Sequence, residues 1–300
     1  MEIKVNKDKN NTYKIDVTVE VERVNEVFKE ALQHEAENAD IKGFRKGKAP
    51  LNIVKDNVDQ AHLRSHALNH LIESVQSQVL KENKFAPIVY PRYEIKEFDE
   101  GKDLKLVMII IEKPEIEIGE YKKAVKAKKG AKEKSVKKED KSNPDAKTLT
   151  TEDIIDAVLE VSKVEAAEQL ISEETDRMMS SMLGQLDKMG VTIDKYLEAV
   201  KKSAEEVRNE YKRIAERNIK SDFAITEIAI KEGIEITDID VEQTIKAIPD
   251  EKSREALSKP DQKMYIKAVL LKNKTLQRIA EDADDKNEKG SQKLSSKKEK

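Results

Sequence analysis

Apolar and polar residues alternate along the first 22 positions of the chain. A β-branched residue recurs at every second position of the latter half, at Ile15, Val17, Val19 and Val21, and a polar stretch at positions 10 and 11 comes before them. A period of two is typical of a half-buried strand, and a polar pair between two such segments is typical of a tight turn. The pattern predicts a β-hairpin over residues 2–22.

The apolar period then changes to that of amphipathic helices. Apolar residues recur three and four positions apart over residues 24–38, and a longer amphipathic segment covers residues 59–83. Residues 40–50 break this pattern. Pro50 suits the first turn of a new helix, because a proline there loses no hydrogen bond. The break is therefore predicted to be a loop held between helices.

Two further segments with strand character close this half of the chain. Residues 88–99 and 103–113 are separated by the turn-forming sequence DEGKD, and the second segment contains an uninterrupted apolar run. A first hairpin, then helices, then a second hairpin predict an α+β domain with an antiparallel sheet, ending near Pro114.

The second half of the chain is predicted to be mostly α-helical, with helices near 151–160, 172–189, 193–202, 204–232, 238–247 and 260–281. Ser203 with Glu206 and Thr237 with Asp240 fit capping boxes, and Gly233 suits a left-handed helix end. Between the halves lies a Lys-rich segment with almost no large apolar residue, which predicts a flexible linker. The predicted organisation is elongated and two-domain, with domain 1–121, linker 122–149, helical domain 150–281 and disordered tail 282–300.

Composition excludes several classes of function. The chain of 300 residues has 57 Lys plus Arg against 60 Asp plus Glu, a net charge of -3, so it is not a basic nucleic-acid binder as a whole. It has no cysteine, which excludes disulfides, thiolate nucleophiles and cysteine-based zinc sites. The longest apolar run is far shorter than the roughly 20 residues of a membrane-spanning helix. The N-terminus lacks the apolar core of a secretory signal, so we expect a cytoplasmic protein without a membrane contact.

Histidine spacing is the sharpest sign of a metal site. His62, His66 and His70 lie four apart on one side of the predicted helix, where imidazoles can share a metal ion. The apolar residues of that helix define the opposite side as buried, so we interpret the histidines as a solvent-facing polar surface and predict no metal. His34 has no obvious partner. No phosphate-binding glycine motif is present, and no cofactor is expected.

A methionine-rich stripe marks the helix near 172–189. Met178, Met182, Leu186 and Met189 recur at helical spacing. Flexible, polarizable methionines suit a binding surface for varied apolar segments, which makes these four residues candidates for client binding. An ordinary interhelical core is the alternative, and base rates of burial favour it.

The loop at 41–50, IKGFRKGKAP, sets one aromatic ring among cations. A solvated surface turn is one interpretation of the glycines and lysines. Phe44 argues against it, because a large ring at a loop tip exposes apolar area unless a partner covers it. Arg45 and Lys46 beside the ring suit phosphates or carboxylates, so the loop is a candidate dock on RNA or on an acidic protein surface.

The sequence GFRKGKAP resembles the signature loop of bacterial trigger factors, and the resemblance extends across residues 1 to about 121 and into two later helical segments. It implies a fold with an α+β ribosome-binding domain and a helical chaperone domain. It also implies an ATP-independent chaperone whose partners are ribosomal protein and rRNA at the tunnel exit, and nascent or unfolded polypeptides. A homodimer of the free protein stays open. The ribosome-docking residues it implies are Gly43, Phe44, Arg45, Lys46, Gly47 and Lys48.

One departure from the family is large. Most trigger factors insert a prolyl isomerase domain of the FK506-binding type where this chain has its Lys-rich segment. About 26 mostly charged residues are too few for such a domain, so we predict that the protein is not an enzyme. Two alternatives stay open: a peptidyl-prolyl isomerase acting elsewhere in the chain, and an RNA-binding protein that uses the loop and linker.

Overall fold

The computed structural model describes residues 1–135 and 149–284, and the chain divides into two compact units after Pro114. The first unit is an α+β domain and the second is mostly helical, as the sequence predicts.

A four-stranded antiparallel sheet forms one layer of the first unit. Its strands are β1 (Glu2–Lys7), β2 (Thr12–Val19), β3 (Arg92–Glu97) and β4 (Leu104–Ile111), in the order β1-β2-β4-β3. The predicted first hairpin is confirmed, except that its second strand ends at Val19 and Val21 begins the helix that follows. Asn10 and Asn11 both have positive φ, of 56° and 51°, which is the conformation that matches a tight hairpin turn to the twist of its strands. The closing hairpin is confirmed as well.

Three helices form the other layer: α1 (Val21–Asn38), α2 (Leu51–Asn57) and α3 (Gln60–Asn83). The buried residues of α1 and α3 fall three and four apart, so each helix presents one apolar stripe to the sheet. A new helix begins after Pro50, as predicted: Pro50 is the N-cap of α2, a short helix that the sequence analysis did not separate from α3. The Asp59 side chain then caps α3 by accepting a 2.9 Å hydrogen bond from the backbone N–H of Ala61.

The second unit begins with a small antiparallel pair of strands, β5 (Ile116–Ile118) and β6 (Ser162–Val164). Its helices, in chain order, are α4 (Tyr121–Ser135), α5 (Thr151–Glu160), α6 (Glu168–Lys188), α7 (Ile193–Val200), α8 (Ala204–Lys231), α9 (Asp238–Lys246), α10 (Glu251–Leu257) and α11 (Pro260–Asp284). Both predicted capping boxes are confirmed, and Gly233 has the predicted positive φ, of 64°.

The flexible-linker prediction is wrong for residues 122–135, which belong to α4. Val125 is fully buried and Tyr121 nearly so, in the core that α4 shares with α5, α8 and α11. Lys122 pairs with Glu232 at 3.0 Å and Asp282 at 2.9 Å. The Lys-rich composition of this segment did not indicate a packed helix. Two apolar residues one turn apart are enough to attach the helix to the core, and the acidic partners of its lysines lie far away in the chain. The rest of the predicted linker, residues 136–148, lies outside the described residues.

The predicted tail is also shorter at its start, because α11 continues through residues 282–284. Residues 285–300 lie outside the described part of the chain.

Within the helical unit, α6 packs along α8 around small apolar clusters, and α11 packs against both α8 and α9. The structure therefore offers two candidate functional regions, the loop between α1 and α2 and the surface of the helical unit.

Candidate functional site

The loop between α1 and α2 is attached to the core of the first unit at both ends. Ala39 and Ile41 on one side, and Ala49 and Leu51 on the other, are half-buried apolar residues packed against that core. The segment between them therefore projects from a fixed base.

Backbone hydrogen bonds determine the shape of this loop. The N–H of Phe44 donates to the carbonyl oxygen of Ile41 at 3.0 Å, and the N–H of Lys48 donates to that of Arg45 at 2.9 Å. The N–H of Gly47 reaches back to the carbonyl oxygen of Ala39 at 3.1 Å. Two successive turns, joined to the loop entry, hold Phe44 and Arg45 at the apex.

Gly47 is required at its position for two independent reasons. Its φ of +73° lies in the left-handed region, where a Cβ is disfavoured. A Cβ at this position would also lie only 2.6 Å from the backbone oxygen of Glu37 in α1. Gly43, with φ of +95°, has open space around it. Gly47 thus allows the loop to lie close against the end of α1, whereas Gly43 supplies only conformational freedom.

The side chains of the candidate residues in this loop are exposed to solvent. Phe44 is 39% exposed, and Arg45, Lys46 and Lys48 are all exposed. Within residues 1–135 and 149–284, no ion pair involves any of these three cations. The arrangement is an apolar ring surrounded by positive charges that are available to an anionic partner.

The methionine stripe of α6 has a different environment from the one a client-binding surface needs. Met182 is 9% exposed and Leu186 is buried beside it, in a core shared with Val207 of α8. Met178 is half-buried, and only Met189, 66% exposed, lies on the surface. The prediction that the stripe contacts clients is therefore corrected for Met182 and Leu186, which hold α6 against α8.

Exposed apolar side chains lie elsewhere on the helical unit. Their common property is large apolar area open to solvent, and they include Leu183, Ile214, Ile230, Ile239, Met264, Tyr265 and Val269. Tyr265 and Val269 line a cleft of about 640 Å³ that involves α6, α8 and α11. The cleft combines these apolar side chains with charged ones, among them Arg177, Asp222 and Lys272.

The four histidines come together, which corrects two expectations. His34 of α1 lies edge-on to His66 of α3 with ring centroids 5.3 Å apart, so it does have a partner. His66 is half-buried, with 24% of its side chain exposed, whereas His62 and His70 are exposed as predicted. Nε2 of His66 is 3.2 Å from Nε2 of His70, and Glu35 lies near the other ring nitrogen of His66.

The described residues contain neither a three-ligand metal site nor a membrane-spanning helix. Among residues 1–135 and 149–284, no three histidine, aspartate or glutamate side chains already surround one point as metal ligands. None of the helices in that part of the chain combines the length and apolar character that crossing a bilayer requires.

Two models of one protein family match this chain. The family model described as "Bacterial trigger factor protein (TF)" matches residues 1–143, and that described as "Bacterial trigger factor protein (TF) C-terminus" matches residues 128–281. The two matches overlap, so together they cover residues 1–281 without a gap.

Curated relatives match part of the chain. A trigger factor from Clostridium kluyveri is 37% identical over 140 residues, which is 47% of this chain and 32% of that protein. One from Clostridium botulinum is 36% identical over 129 residues, which is 43% of this chain and 30% of that protein. The matched part thus spans about a third of the length of these relatives.

A solved structure resembles nearly the whole chain. It is described as "Promiscuous Substrate Recognition in Folding and Assembly Activities of the Trigger Factor Chaperone", and it superposes with a TM-score of 0.60 at 16% identity, over 94% of this chain and 100% of that one. At this identity the likeness establishes the fold.

Proposed function

We propose, from the premise that this chain belongs to the bacterial trigger factor family, that it is an ATP-independent chaperone that docks on the ribosome and holds emerging polypeptides. The observation that carries the proposal is the loop apex, where Phe44 is exposed beside cations on a backbone of fixed shape. Such a protein works in the bacterial cytoplasm, on nascent and unfolded chains.

Docking through this loop would use two kinds of contact. Phe44 inserts its ring into an apolar recess of a ribosomal protein, and a buried aromatic of this kind often dominates a small interface. Arg45 and Lys46 contact phosphates of rRNA or carboxylates of the same protein, while Lys48 adds charge at the rim. Because the loop backbone is already ordered by its own hydrogen bonds, little conformational entropy is lost on binding.

Client binding would use the apolar side chains in and beside the cleft of the helical unit. Tyr265 and Val269, with Met264 on the same helix, present apolar area without a covering element in the described structure. Burial of apolar area is non-directional, so such a surface accepts many sequences. Dissociation needs no nucleotide, because each contact is weak on its own. Met189 is the one residue of the predicted stripe that fits this role.

We further propose that the protein lacks prolyl isomerase activity. The two family matches overlap at residues 128–143, so no inserted domain separates them. A proline-limited refolding assay tests this point: no acceleration is expected at catalytic concentrations of the protein, and turnover would overturn it.

Ribosome co-sedimentation tests the docking proposal. The variant Phe44→Ala, Arg45→Ala, Lys46→Ala should lose binding. A matched control replaces one exposed residue of each type elsewhere on the same unit: Tyr90→Ala, Arg92→Ala, Lys81→Ala. This control should bind like the unaltered protein.

The salt dependence of the same assay separates the kinds of contact. If Arg45 and Lys46 contact phosphates, the loop variant should also show a shallower dependence of affinity on salt, by roughly 0.7 for each phosphate that it no longer neutralises. Equal binding by the loop variant and the unaltered protein would refute the dock. Binding to protein-free rRNA as tight as to ribosomes would favour an RNA-binding protein instead.

A further inference from the structure

The pair of His66 and His70 has the geometry of two ligands on one metal ion. Their Nε2 atoms are 3.2 Å apart, and the ring centroids are 4.9 Å apart at an angle of 65°. Two imidazole nitrogens at the usual zinc distance and a tetrahedral angle lie about 3.3 Å from each other. The two residues are one turn apart on α3, so the helix itself holds this spacing.

A carboxylate, that of Glu35, lies beside the second ring nitrogen of His66 and also beside His62. Its Oε1 lies 3.5 Å from Nδ1 of His66, and that Nδ1 is buried and makes no hydrogen bond in the described structure. A histidine bound to a metal through one nitrogen typically donates its other N–H to a carboxylate. An Nδ1–H on His66 would point toward this carboxylate and leave the Nε2 lone pair facing His70.

The tautomers of His66 and His70 determine whether a cation can bind between the two rings. In the tautomer of His66 that carries its proton on Nδ1, on the side of the carboxylate, Nε2 is an acceptor. His70 satisfies it only by donating its own Nε2–H. When a divalent ion binds between the rings, His70 carries its proton on Nδ1 instead, after exchange through solvent, so that both Nε2 lone pairs face the ion.

The surroundings restrict which ion fits. Imidazole ligands suit divalent transition ions such as Zn²⁺, Ni²⁺ and Cu²⁺, whereas Mg²⁺ and Ca²⁺ take oxygen ligands. The chain has no cysteine to compete for such an ion. His34 packs edge-on against His66 and limits the rotation of its ring.

We propose that His66 and His70 bind a divalent transition metal ion through their Nε2 atoms, with Glu35 orienting His66 and water completing the coordination. The site joins α1 to α3, because Glu35 and His34 lie on one helix and the two ligands on the other. It is independent of the proposed chaperone function.

Isothermal titration with ZnCl₂ at pH 8 tests the site in the full-length chain without an affinity tag. The unaltered protein should bind one ion. His70→Gln, at an exposed position, should lose saturable binding, and Glu35→Gln should weaken it by about tenfold. His62→Gln is the matched control, since it removes another histidine of α3, whose Nδ1 is 3.3 Å from Glu35, and leaves the proposed pair intact.

Thermal unfolding distinguishes a variant that loses the metal site from one that loses its fold. Zn²⁺ should raise the Tm of the unaltered protein and of His62→Gln but not that of His70→Gln, because only a folded-state ligand stabilises. Far-UV circular dichroism should show equal helix content for all three. The proposal is refuted if the unaltered protein shows no saturable heat or if His70→Gln titrates like it. It is also refuted if His62→Gln loses binding as His70→Gln does, since the ion would then lie on the Glu35 side.

Discussion

The hydroxyl of Tyr121 donates a 2.6 Å hydrogen bond to Oε1 of Glu232, and this contact joins the start of α4 to the end of α8 across 111 positions of sequence. The same carboxylate pairs with Lys122. These contacts keep the pKa of Glu232 below its ordinary value, with the Tyr121 hydrogen bond as the largest cause, and burial raises the pKa of Tyr121. The Lys-rich helix α4 is therefore an integral part of the helical unit.

Replacement of the residues that attach α4 should destabilise the helical unit. Tyr121→Phe removes a hydrogen bond to a charged group and should lower the free energy of unfolding by about 1.5 kcal/mol. Val125→Asp places a charge at a fully buried position and should cost at least about 3 kcal/mol. Urea unfolding followed by far-UV circular dichroism measures both. The exposed change Lys123→Asn is the control and should cost less than about 0.5 kcal/mol.

A flexible segment at these positions would give a different result. Val125→Asp would then unfold at the same urea concentration as the unaltered protein, which would contradict the packing of α4. The comparison with Lys123→Asn separates loss of packing from a general effect of altering the charge of this helix.

The two loop glycines should respond differently to alanine. Gly47→Ala combines a left-handed φ with a Cβ only 2.6 Å from the oxygen of Glu37, so the loop must move. Gly43→Ala has no such clash and should lower the free energy of unfolding by only about 1 kcal/mol, the cost of an alanine with positive φ. Gly47→Ala should therefore cost more stability and more ribosome binding than Gly43→Ala. Gly184→Ala, inside α6 with open space around it, should instead stabilise by about 0.5–1 kcal/mol.

Urea unfolding and ribosome co-sedimentation measure these three variants together. Equal loss of ribosome binding by Gly43→Ala and Gly47→Ala would contradict the role given to the contact between the loop and α1.

The sequence predicts helices and strands correctly where the apolar residues follow one clear period. The first hairpin, α3 and α5 follow their predicted ranges closely, and the capping boxes at Ser203 and Thr237 mark true helix starts. Those signals are local, because they depend on spacing and on side chains within one turn of the chain.

Long-range contacts account for the errors. The packing of α4 depends on Val125 reaching a core built by α5, α8 and α11, and no local pattern reports that. His34 and His66 meet because α1 and α3 pack side by side, which spacing within either helix does not reveal. Burial of Met182 likewise depends on α8. The shape of the loop between α1 and α2 was partly predictable from its glycines, but the contact that requires Gly47 needed the structure.

Acid should weaken the start of α5. Lys132, whose Nζ lies 2.5 Å from Oδ2 of Asp153, and the N–H of Thr150 lower the pKa of Asp153 to about 2. A carboxyl with a lowered folded-state pKa stabilises above its unfolded pKa, near 4, and this contribution disappears as the pH falls through the folded value. The Asp153 contribution should thus be complete at pH 7 and lost progressively from about pH 5 to pH 2.

Two variants separate the charge of Asp153 from its role in the cap. Asp153→Ala removes both and should cost about 1 kcal/mol at pH 7. Asp153→Asn keeps an oxygen that can accept from Thr150 and removes only the charge. Its difference from the unaltered protein, measured by urea unfolding, should fall from about pH 5 downward and vanish only below pH 2. A difference that stayed constant from pH 7 to pH 2 would contradict the lowered pKa.

Apolar residues at the cleft of the helical unit should determine the capture of unfolded chains. Tyr265, 67% exposed, and Val269 line the cleft, and Met264, 72% exposed, lies beside them on α11. Burial of each such side chain contributes up to about 1.5–3 kcal/mol. Tyr265→Ser with Val269→Ser should therefore raise the concentration needed to suppress aggregation of a diluted, denatured protein by at least about tenfold, as measured by light scattering. The matched control is Ile230→Ser with Ile239→Ser, which removes comparable exposed apolar area outside the cleft.

The methionine stripe provides the opposite test. Because Met182 is buried against α8, Met182→Ala should lower the free energy of unfolding by about 2–5 kcal/mol. Under conditions where the variant stays folded, its protection of the aggregating protein should equal that of the unaltered chain. Full loss of protection by Met182→Ala in a folded state, with Tyr265→Ser and Val269→Ser unaffected, would move the client-binding surface from the cleft to the α6–α8 core. That outcome would require α6 to separate from α8 when a client binds, since Met182 and Leu186 are inaccessible while the two helices are packed.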